Sequence, residues 1–198
     1  MIRRRQSRFA VFFIFQGNKK PLDVQLEVFF LSAAEESDLM MKISNILIQQ
    51  IQDTFPGLSL RQNVSFRDVT TLGAGGEIAL LAEPAADIVL KGLLEFCYRN
   101  ELKTFMLGGG SNLVGCDGIF DGVAIRLRQN HFSRVSFGRN HVTIGCGARL
   151  PELVRECVKA GYGQFAPFAG IPGTVGGALR MNAGAHGAAI GDFVLELF

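Results

Sequence analysis

The sequence predicts a mixed α+β fold, and three features support this prediction. An apolar run at residues 78–82 is followed by a helical pattern and then by a second apolar run at 104–107. Of the 24 glycines, 22 lie at or beyond Gly73, so this body is rich in turns and loops. Short segments with strand character follow the second run, at 123–126, 134–137 and 141–145.

The composition is that of a folded protein with its own hydrophobic core. The chain has 198 residues, of which 48% are hydrophobic. Beyond the first twenty residues, 14 basic residues face 18 acidic ones, which disfavours a nucleic-acid surface. No apolar run approaches the roughly 18 residues that a membrane span needs. The four cysteines and three histidines show no metal-ligand spacing, so we expect no metal, no membrane and a reducing cytoplasm.

Residues 1–39 differ in character from the rest of the chain. A basic cluster at 3–8 precedes a short apolar run at 9–15, but no small-residue cleavage site follows, so a signal peptide is disfavoured. A second apolar stretch, 24–31, could form a strand. We expect Met40 or Met41 to be the natural start and residues 1–39 to be an unrelated or disposable extension.

Residues 40–65 form a helix and a lead-in to the main body. Ile43, Leu47, Ile51 and Phe55 recur at helical spacing, and Pro56-Gly57 ends the pattern. This helix is predicted to pack by that face.

The strand at 78–82 is followed by a helix that starts at Pro84, and the strand at 104–107 returns after it. A helical crossover of this length predicts two parallel strands. The loop after the second strand therefore lies at a carboxyl end, where α/β sheets bind ligands. A later helix opens near Pro151 and stops at Gly161, and Leu179 to Met181 alternate like a strand.

The loop after residue 107 has the composition of a phosphate cradle. Consecutive glycines leave backbone N–H groups bare, and a serine and an asparagine can complete the shell. Neither G-x-x-x-x-G-K-[ST] nor G-x-G-x-x-G is present, so a P-loop and a Rossmann turn are not supported. A plain hairpin is the alternative for these residues: Leu107, Gly108, Gly109, Gly110, Ser111 and Asn112.

A second glycine-rich segment offers almost no side chain between its backbone and a flat ligand. A tight packing turn is the alternative. The candidate ligand-binding residues in and after it are Gly170, Ile171, Pro172, Gly173, Thr174, Gly176, Gly177 and Asn182.

The order and spacing of these segments resemble the flavin-binding portion of one family, the UDP-N-acetylenolpyruvoylglucosamine reductases of peptidoglycan synthesis. The resemblance covers roughly residues 60–198, and it rests on residues 70–76, 107–113, 145–147, 170–178 and 182–187. It implies the two-subdomain FAD-binding fold of the vanillyl-alcohol-oxidase/PCMH type, with the substrate-binding domain missing. The FAD domain would be residues 66–198, with subdomains at about 66–128 and 129–198.

The resemblance also implies the chemistry. Residues 107–112 would hold the pyrophosphate of a noncovalent FAD, and residues 170–177 would lie against its ring. NADPH would be the reductant and a UDP-sugar the substrate. The family's catalytic Arg, Ser and Glu would lie beyond Phe198 and have no counterparts in this sequence, so the chain alone is expected to be inactive. His186 stands where the family often has Tyr, and it could face the substrate.

Two other functions remain open from the sequence. One is an FAD-dependent oxidase or dehydrogenase of the same fold, although no His or Cys attachment motif for flavin is evident. The other is a non-catalytic module that binds flavin or a nucleotide.

Overall fold

The structure is a computed structural model that describes residues 12–15, 43–115 and 117–198. The predictions of a strand at 24–31 and of a start at Met40 or Met41 lie outside the described residues, as does Cys116. The helices are α1 Asn45–Thr54, α2 Phe66–Val69, α3 Asp87–Arg99, α4 Leu150–Lys159 and α5 Val175–Arg180. The strands are β1 Phe12–Phe15, β2 Ser59–Ser65, β3 Glu77–Glu83, β4 Lys103–Met106, β5 Ile119–Ile125, β6 Val135–Phe137, β7 Val142–Gly145, β8 Gly184–Ala185, β9 Ala188–Ala189 and β10 Val194–Leu197.

The first sheet has the strand order β2-β3-β5-β4. β3 and β4 each pair in parallel with β5, which lies between them, so the predicted parallel direction of the two strands is confirmed. α3 forms the crossover connection between β3 and β4. The loop at Gly108 therefore follows the carboxyl end of β4, and the N–H of Leu107 donates to the carbonyl of Ile125 at 2.8 Å.

The second sheet has the order β10-β1-β7-β6, and each neighbouring pair is antiparallel. β1 comes from the stretch that the sequence marks as an extension. It pairs with β7 on one side and with β10 on the other. The expectation that residues 1–39 are dispensable stays a prediction, and this pairing weighs against it for residues 12–15.

The helix boundaries follow local signals. The Oγ of Ser44 accepts a hydrogen bond from the Leu47 N–H at 3.3 Å and caps α1, which buries Ile48 and Ile51. α3 begins at Asp87 and not at Pro84, because Ala86 is still extended. α4 carries Pro151 in its first turn and ends before Gly161, whose φ of +90° allows the chain to leave the helix, as predicted.

Two segments differ from their predictions. Residues 59–65, expected to be part of the lead-in, form β2 and pair antiparallel with β3. Residues 179–181, expected to be a strand, lie at the end of α5. Thr174 starts this helix by accepting a hydrogen bond from the Gly177 N–H on its Oγ1, at 3.3 Å. That cap decides the local structure in favour of a helix.

The core has two clusters of buried residues. The larger one packs the inner faces of α1, α3 and α4 against both sheets, and Ile51, Leu93 and Leu153 are among its members. The smaller one lies under α2 and includes Phe66 and Leu81. Among the described residues, no helix has the length and apolar character that a bilayer crossing requires.

Candidate functional site

Three of the predicted loops meet in space. The Thr71 N–H donates to the carbonyl of Gly110 at 3.0 Å. The Ser111 hydroxyl donates to the carbonyl of Pro172 at 3.5 Å. A Cβ on Gly109 would lie 2.7 Å from the Cα of Gly173. Segments that are far apart in the sequence therefore pack backbone against backbone.

A cavity of about 590 Å³ opens where these loops meet. It lies between the carboxyl ends of the parallel strands and the first turn of α4. The glycine loops contribute Gly108, Gly109, Pro172, Gly173 and Thr174 to its wall. The other lining residues come from α2 and its end (Asp68, Val69, Thr70, Thr71), from the segment after β5 (Arg126, Arg128, Ser133, Val135) and from the start of α4 (Gly147, Ala148, Arg149, Glu152, Leu153, Glu156).

The first glycine loop presents free backbone donors beside this cavity. Within the part of the chain that the structure describes, the N–H groups of Gly108, Gly109, Ser111 and Asn112 have no hydrogen-bond partner. Gly110 has a φ of +67°, a conformation that favours glycine and turns the chain there. Several N–H groups in one turn form a site for an anion such as pyrophosphate. The donors present thus fit the cofactor that the resemblance implies.

The glycines of the two loops differ in whether the surrounding protein leaves room for a side chain. At Gly108, an added Cβ would lie 2.8 Å from the Oγ1 of Thr174, and at Gly109 it would meet the backbone of Gly173. Both positions are therefore required by loop packing. At Gly170 an added Cβ would meet no protein atom within 4 Å. The space beside Gly170 is left open by the protein itself.

Sequence reasoning missed three arginines that line the cavity. Arg126 is 9% exposed, and its Nε donates to the Oε1 of Glu83 at 2.6 Å. Arg149 pairs with Glu152 at 3.0 Å. Arg128 is exposed and forms no ion pair among the described residues. The sequence could have indicated two of these arginines, because Arg126 and Arg128 directly follow β5. They therefore lie at the same sheet edge as the Gly108 loop.

The other predicted ligand residues lie around the cavity without lining it. Leu107 is buried in the smaller core cluster. Gly176 and Gly177 lie in α5, and Asn182 accepts the Gly191 N–H on its Oδ1 at 3.0 Å. Gly110 is buried, and the remaining ones are exposed or partly exposed: Ser111, Asn112, Gly170 and Ile171. Their assignment as cofactor contacts stays a prediction.

His186 lies at the tip of the β8–β9 hairpin. It has a φ of +53°, and Gly187 follows with +80°, as a two-residue hairpin turn requires. The side chain is exposed and is not part of the cavity wall. Its role toward a substrate stays a prediction.

Phe198 is the residue beyond which the resemblance puts the catalytic Arg, Ser and Glu. It directly follows β10, and its side chain is 44% exposed. It does not line the cavity. The assignment of the three catalytic residues to positions beyond Phe198 stays a prediction.

The described cysteines are free, buried thiols. Burial raises the pKa of Cys97 and of Cys146 to about 11 and that of Cys157 to about 12. These groups are therefore protonated at neutral pH and are poor nucleophiles. Among the described residues, no group of three His, Cys, Asp or Glu is arranged to hold a metal ion.

Curated relatives match most of this chain. The UDP-N-acetylenolpyruvoylglucosamine reductase of Synechococcus sp. (strain WH7803) is 36% identical over 138 residues, which cover 70% of this chain and 44% of the relative. That of Trichlorobacter lovleyi is 38% identical over 143 residues, covering 72% of this chain and 46% of the relative. The chain thus spans less than half the length of these relatives.

Two solved structures share the fold. The Thermus caldophilus UDP-N-acetylenolpyruvylglucosamine reductase (MurB) has a TM-score of 0.55 and 32% identity, covering 68% of this chain and 46% of that one. Alkyldihydroxyacetonephosphate synthase has a TM-score of 0.52 over 87% of this chain and 34% of that one, and at 18% identity it shows the fold alone.

These matches confirm the resemblance, and with it the predicted α+β FAD-binding fold of the vanillyl-alcohol-oxidase/PCMH type. Residues 78–197 match the model of the FAD binding domain family, so both glycine loops and most of the cavity wall lie inside the matched region. The chain belongs to the FAD binding domain family.

Proposed function

We propose that this chain is the FAD-binding portion of a UDP-N-acetylenolpyruvoylglucosamine reductase and that it binds FAD noncovalently in the cavity. The observation that carries the proposal is the meeting of two glycine loops, one with unpartnered N–H donors, around a cavity of about 590 Å³. The family relationship supports an FAD-dependent oxidoreductase.

The residues divide the work of holding the cofactor. The N–H groups of 108–112 donate to the pyrophosphate, and the nearby guanidinium of Arg128 adds positive charge. Residues 170–177 lie against the flat ring, where glycine permits close approach. When bound, FAD supplies the hydride chemistry, and the protein orients it and excludes water from it.

The activity of the whole enzyme is part of the proposal. The enolpyruvyl UDP-sugar is the substrate, by the resemblance and by the names of the relatives. NADPH is the reductant, by the resemblance alone. The reaction takes place in the cytoplasm, where the three described thiols stay reduced. The 198-residue chain alone is inactive, because the family's catalytic Arg, Ser and Glu have no counterparts in it.

The test compares two glycines that both have open space around them. Gly170→Val adds side chain where the protein leaves room, so only a bound ligand can oppose it. Gly163→Val is the matched control, because an added Cβ there also meets nothing within 4 Å and the position lies outside both glycine loops. Gly109→Val is less informative, since it would displace Gly173 in the absence of any ligand.

We expect the wild type and Gly163→Val to bind FAD equally and Gly170→Val to bind it about tenfold more weakly or worse, a loss of about 1.4 kcal/mol. Binding is measured by titration of flavin fluorescence. Acid precipitation should leave the flavin in solution. A wild type that binds no FAD would overturn the proposal. Equal binding by both variants would remove the second loop from the site, and flavin in the precipitate would exclude noncovalent binding.

A further inference from the structure

β1 occupies the interior of the second sheet. Against β7, Phe12 stands opposite Gly145 and Ile14 opposite Thr143. Against β10, Phe13 stands opposite Leu197 and Ile14 opposite Glu196. An interior strand directs the N–H and C=O groups of successive residues to alternate neighbours. Four residues of the N-terminal stretch therefore connect two strands that do not pair with each other.

β10 depends on this connection. Among the described residues, β10 has no ladder partner other than β1, and β6 is the only partner that β7 has besides β1. Without β1 the sheet would consist of a two-stranded ladder and an isolated strand. A two-stranded ladder alone is marginally stable in water. β10 also carries Leu197, which is 60% exposed even with β1 in place.

The occupant comes from outside the region that defines the domain. The family match covers residues 78–197, which include β7 and β10 and leave out β1. Residues 12–15 read Phe-Phe-Ile-Phe, residue types that favour strands. Basic residues flank them in the sequence on both sides, at 3–8 and at 19–20.

We propose that β7 and β10 form a groove for one antiparallel strand, and that residues 12–15 are its ligand. The groove recognises an extended, uncharged, apolar peptide through backbone hydrogen bonds, as in strand addition to sheet edges. The segment acts as a donor strand that completes the flavin domain's second sheet, and a separate peptide of the same sequence can take its place. This inference does not rest on flavin binding.

Two proline variants of the full chain test the groove from both sides. Phe13→Pro and Ile14→Pro each remove one backbone N–H, and because these residues are consecutive, one donor faces β7 and the other faces β10. We expect amide hydrogen exchange in residues 194–197 to speed up by about tenfold or more in at least one variant. The strands β2 and β3 should keep their protection. Ile14→Val is the control, because it keeps the backbone donor and strand propensity.

A second experiment tests whether a separate peptide can bind in the groove between β7 and β10. A synthetic peptide of residues 3–20 is added in excess to the Ile14→Pro protein. We expect protection of 194–197 to return, and we expect no recovery with the same peptide carrying proline at position 14. Equal protection of 194–197 in the wild type and both proline variants would overturn the proposal. If protection is lost and the wild-type peptide does not restore it, the claim that a separate peptide can take the place of residues 12–15 is wrong.

A cross-linking arm remains decisive if the proline variants do not fold. In a Cys116→Ser background, Phe13→Cys/Leu197→Cys places two thiols opposite each other across the β1–β10 ladder, at a spacing suited to a disulfide. Phe13→Cys/Glu196→Cys is the matched control, because its second thiol moves to the other face of the sheet. We expect mild oxidation to cross-link the first pair faster. Equal rates, or no cross-link in either protein, would refute the pairing.

Discussion

The ion pair between Glu83 and Arg126 ties the cavity wall to the first sheet. Arg126 follows β5, Glu83 ends β3, and both Nε and Nη2 of the arginine lie within 2.6 Å of one carboxylate oxygen. Their side chains are 10% and 15% exposed. Arg61 lies at 4.0 Å from the same carboxylate and is half-exposed, so it contributes little.

Glu83→Ala should destabilise the protein by about 3 kcal/mol, because it leaves the Arg126 charge buried without its partner. Chemical denaturation measures the change. The double variant Glu83→Leu/Arg126→Met should recover most of the loss, since it removes both charges together. A loss below about 0.5 kcal/mol in Glu83→Ala would mean that water already solvates the guanidinium.

The buried thiols predict a loss of stability at alkaline pH. Cysteine has an ordinary pKa near 9.0, and burial raises the pKa of Cys157 to about 12 and those of Cys97 and Cys146 to about 11. The folded state therefore holds its protons more tightly than the unfolded state. The stabilisation is fully present below pH 9 and is lost as the pH rises from 9 through the folded-state values.

Urea midpoints at pH 7, 9 and 10.5 measure this effect. Tyrosines and lysines titrate in the same range, so the comparison is between the wild type and Cys157→Ala. We expect the midpoint of the wild type to fall more steeply between pH 9 and 10.5 than that of the variant. Parallel curves would show that Cys157 titrates alike in the folded and unfolded states.

Helices and strands with strong local signals could be predicted from the sequence. α4 combines a proline in its first turn, a buried face and a following Gly161 with positive φ, and all three signals agree. β3 buries Ile78, Leu80, Leu81 and Ala82, which belong to the apolar run that predicts it. β2 was missed because only Val64 of its seven residues is buried, so its alternation is weak. At α5 the Thr174 cap outweighs the apparent alternation around Arg180.

The site itself could be predicted only in part. The composition of 107–112 and 170–177 indicates loops that can approach a ligand, but which glycines serve packing depends on contacts between distant segments. Gly109 faces Gly173, and Gly110 faces Val69 and Thr70. The place of β1 in the sheet is equally nonlocal, since residues 12–15 pair with strands more than a hundred residues away. Local pattern carries no information on such pairing.

The whole chain combines a flavin-type cavity with less than half the length of its relatives. By the function proposed above, a bound FAD would meet its phosphate donors and its ring-facing loop within residues 107–177. The resemblance assigns the charge stabilisation and the proton donor to an Arg, a Ser and a Glu that this sequence does not match. Positioned acids contribute about 10²- to 10⁴-fold to such reactions, and preorganised charge often more.

The FAD-loaded 198-residue chain should therefore form no lactyl product from the enolpyruvyl UDP-sugar and NADPH. The assay is anaerobic, so that oxygen does not consume reducing equivalents, and the Thermus caldophilus reductase serves as the active control. NADPH oxidation without product would still be consistent, because hydride acceptance is chemistry of the cofactor. Product at a rate near that of the control would contradict the prediction. His186→Ala and Glu152→Gln would then be the first variants to test for loss of the proton donor, since the sequence predicts that His186 faces the substrate and Glu152 lines the cavity.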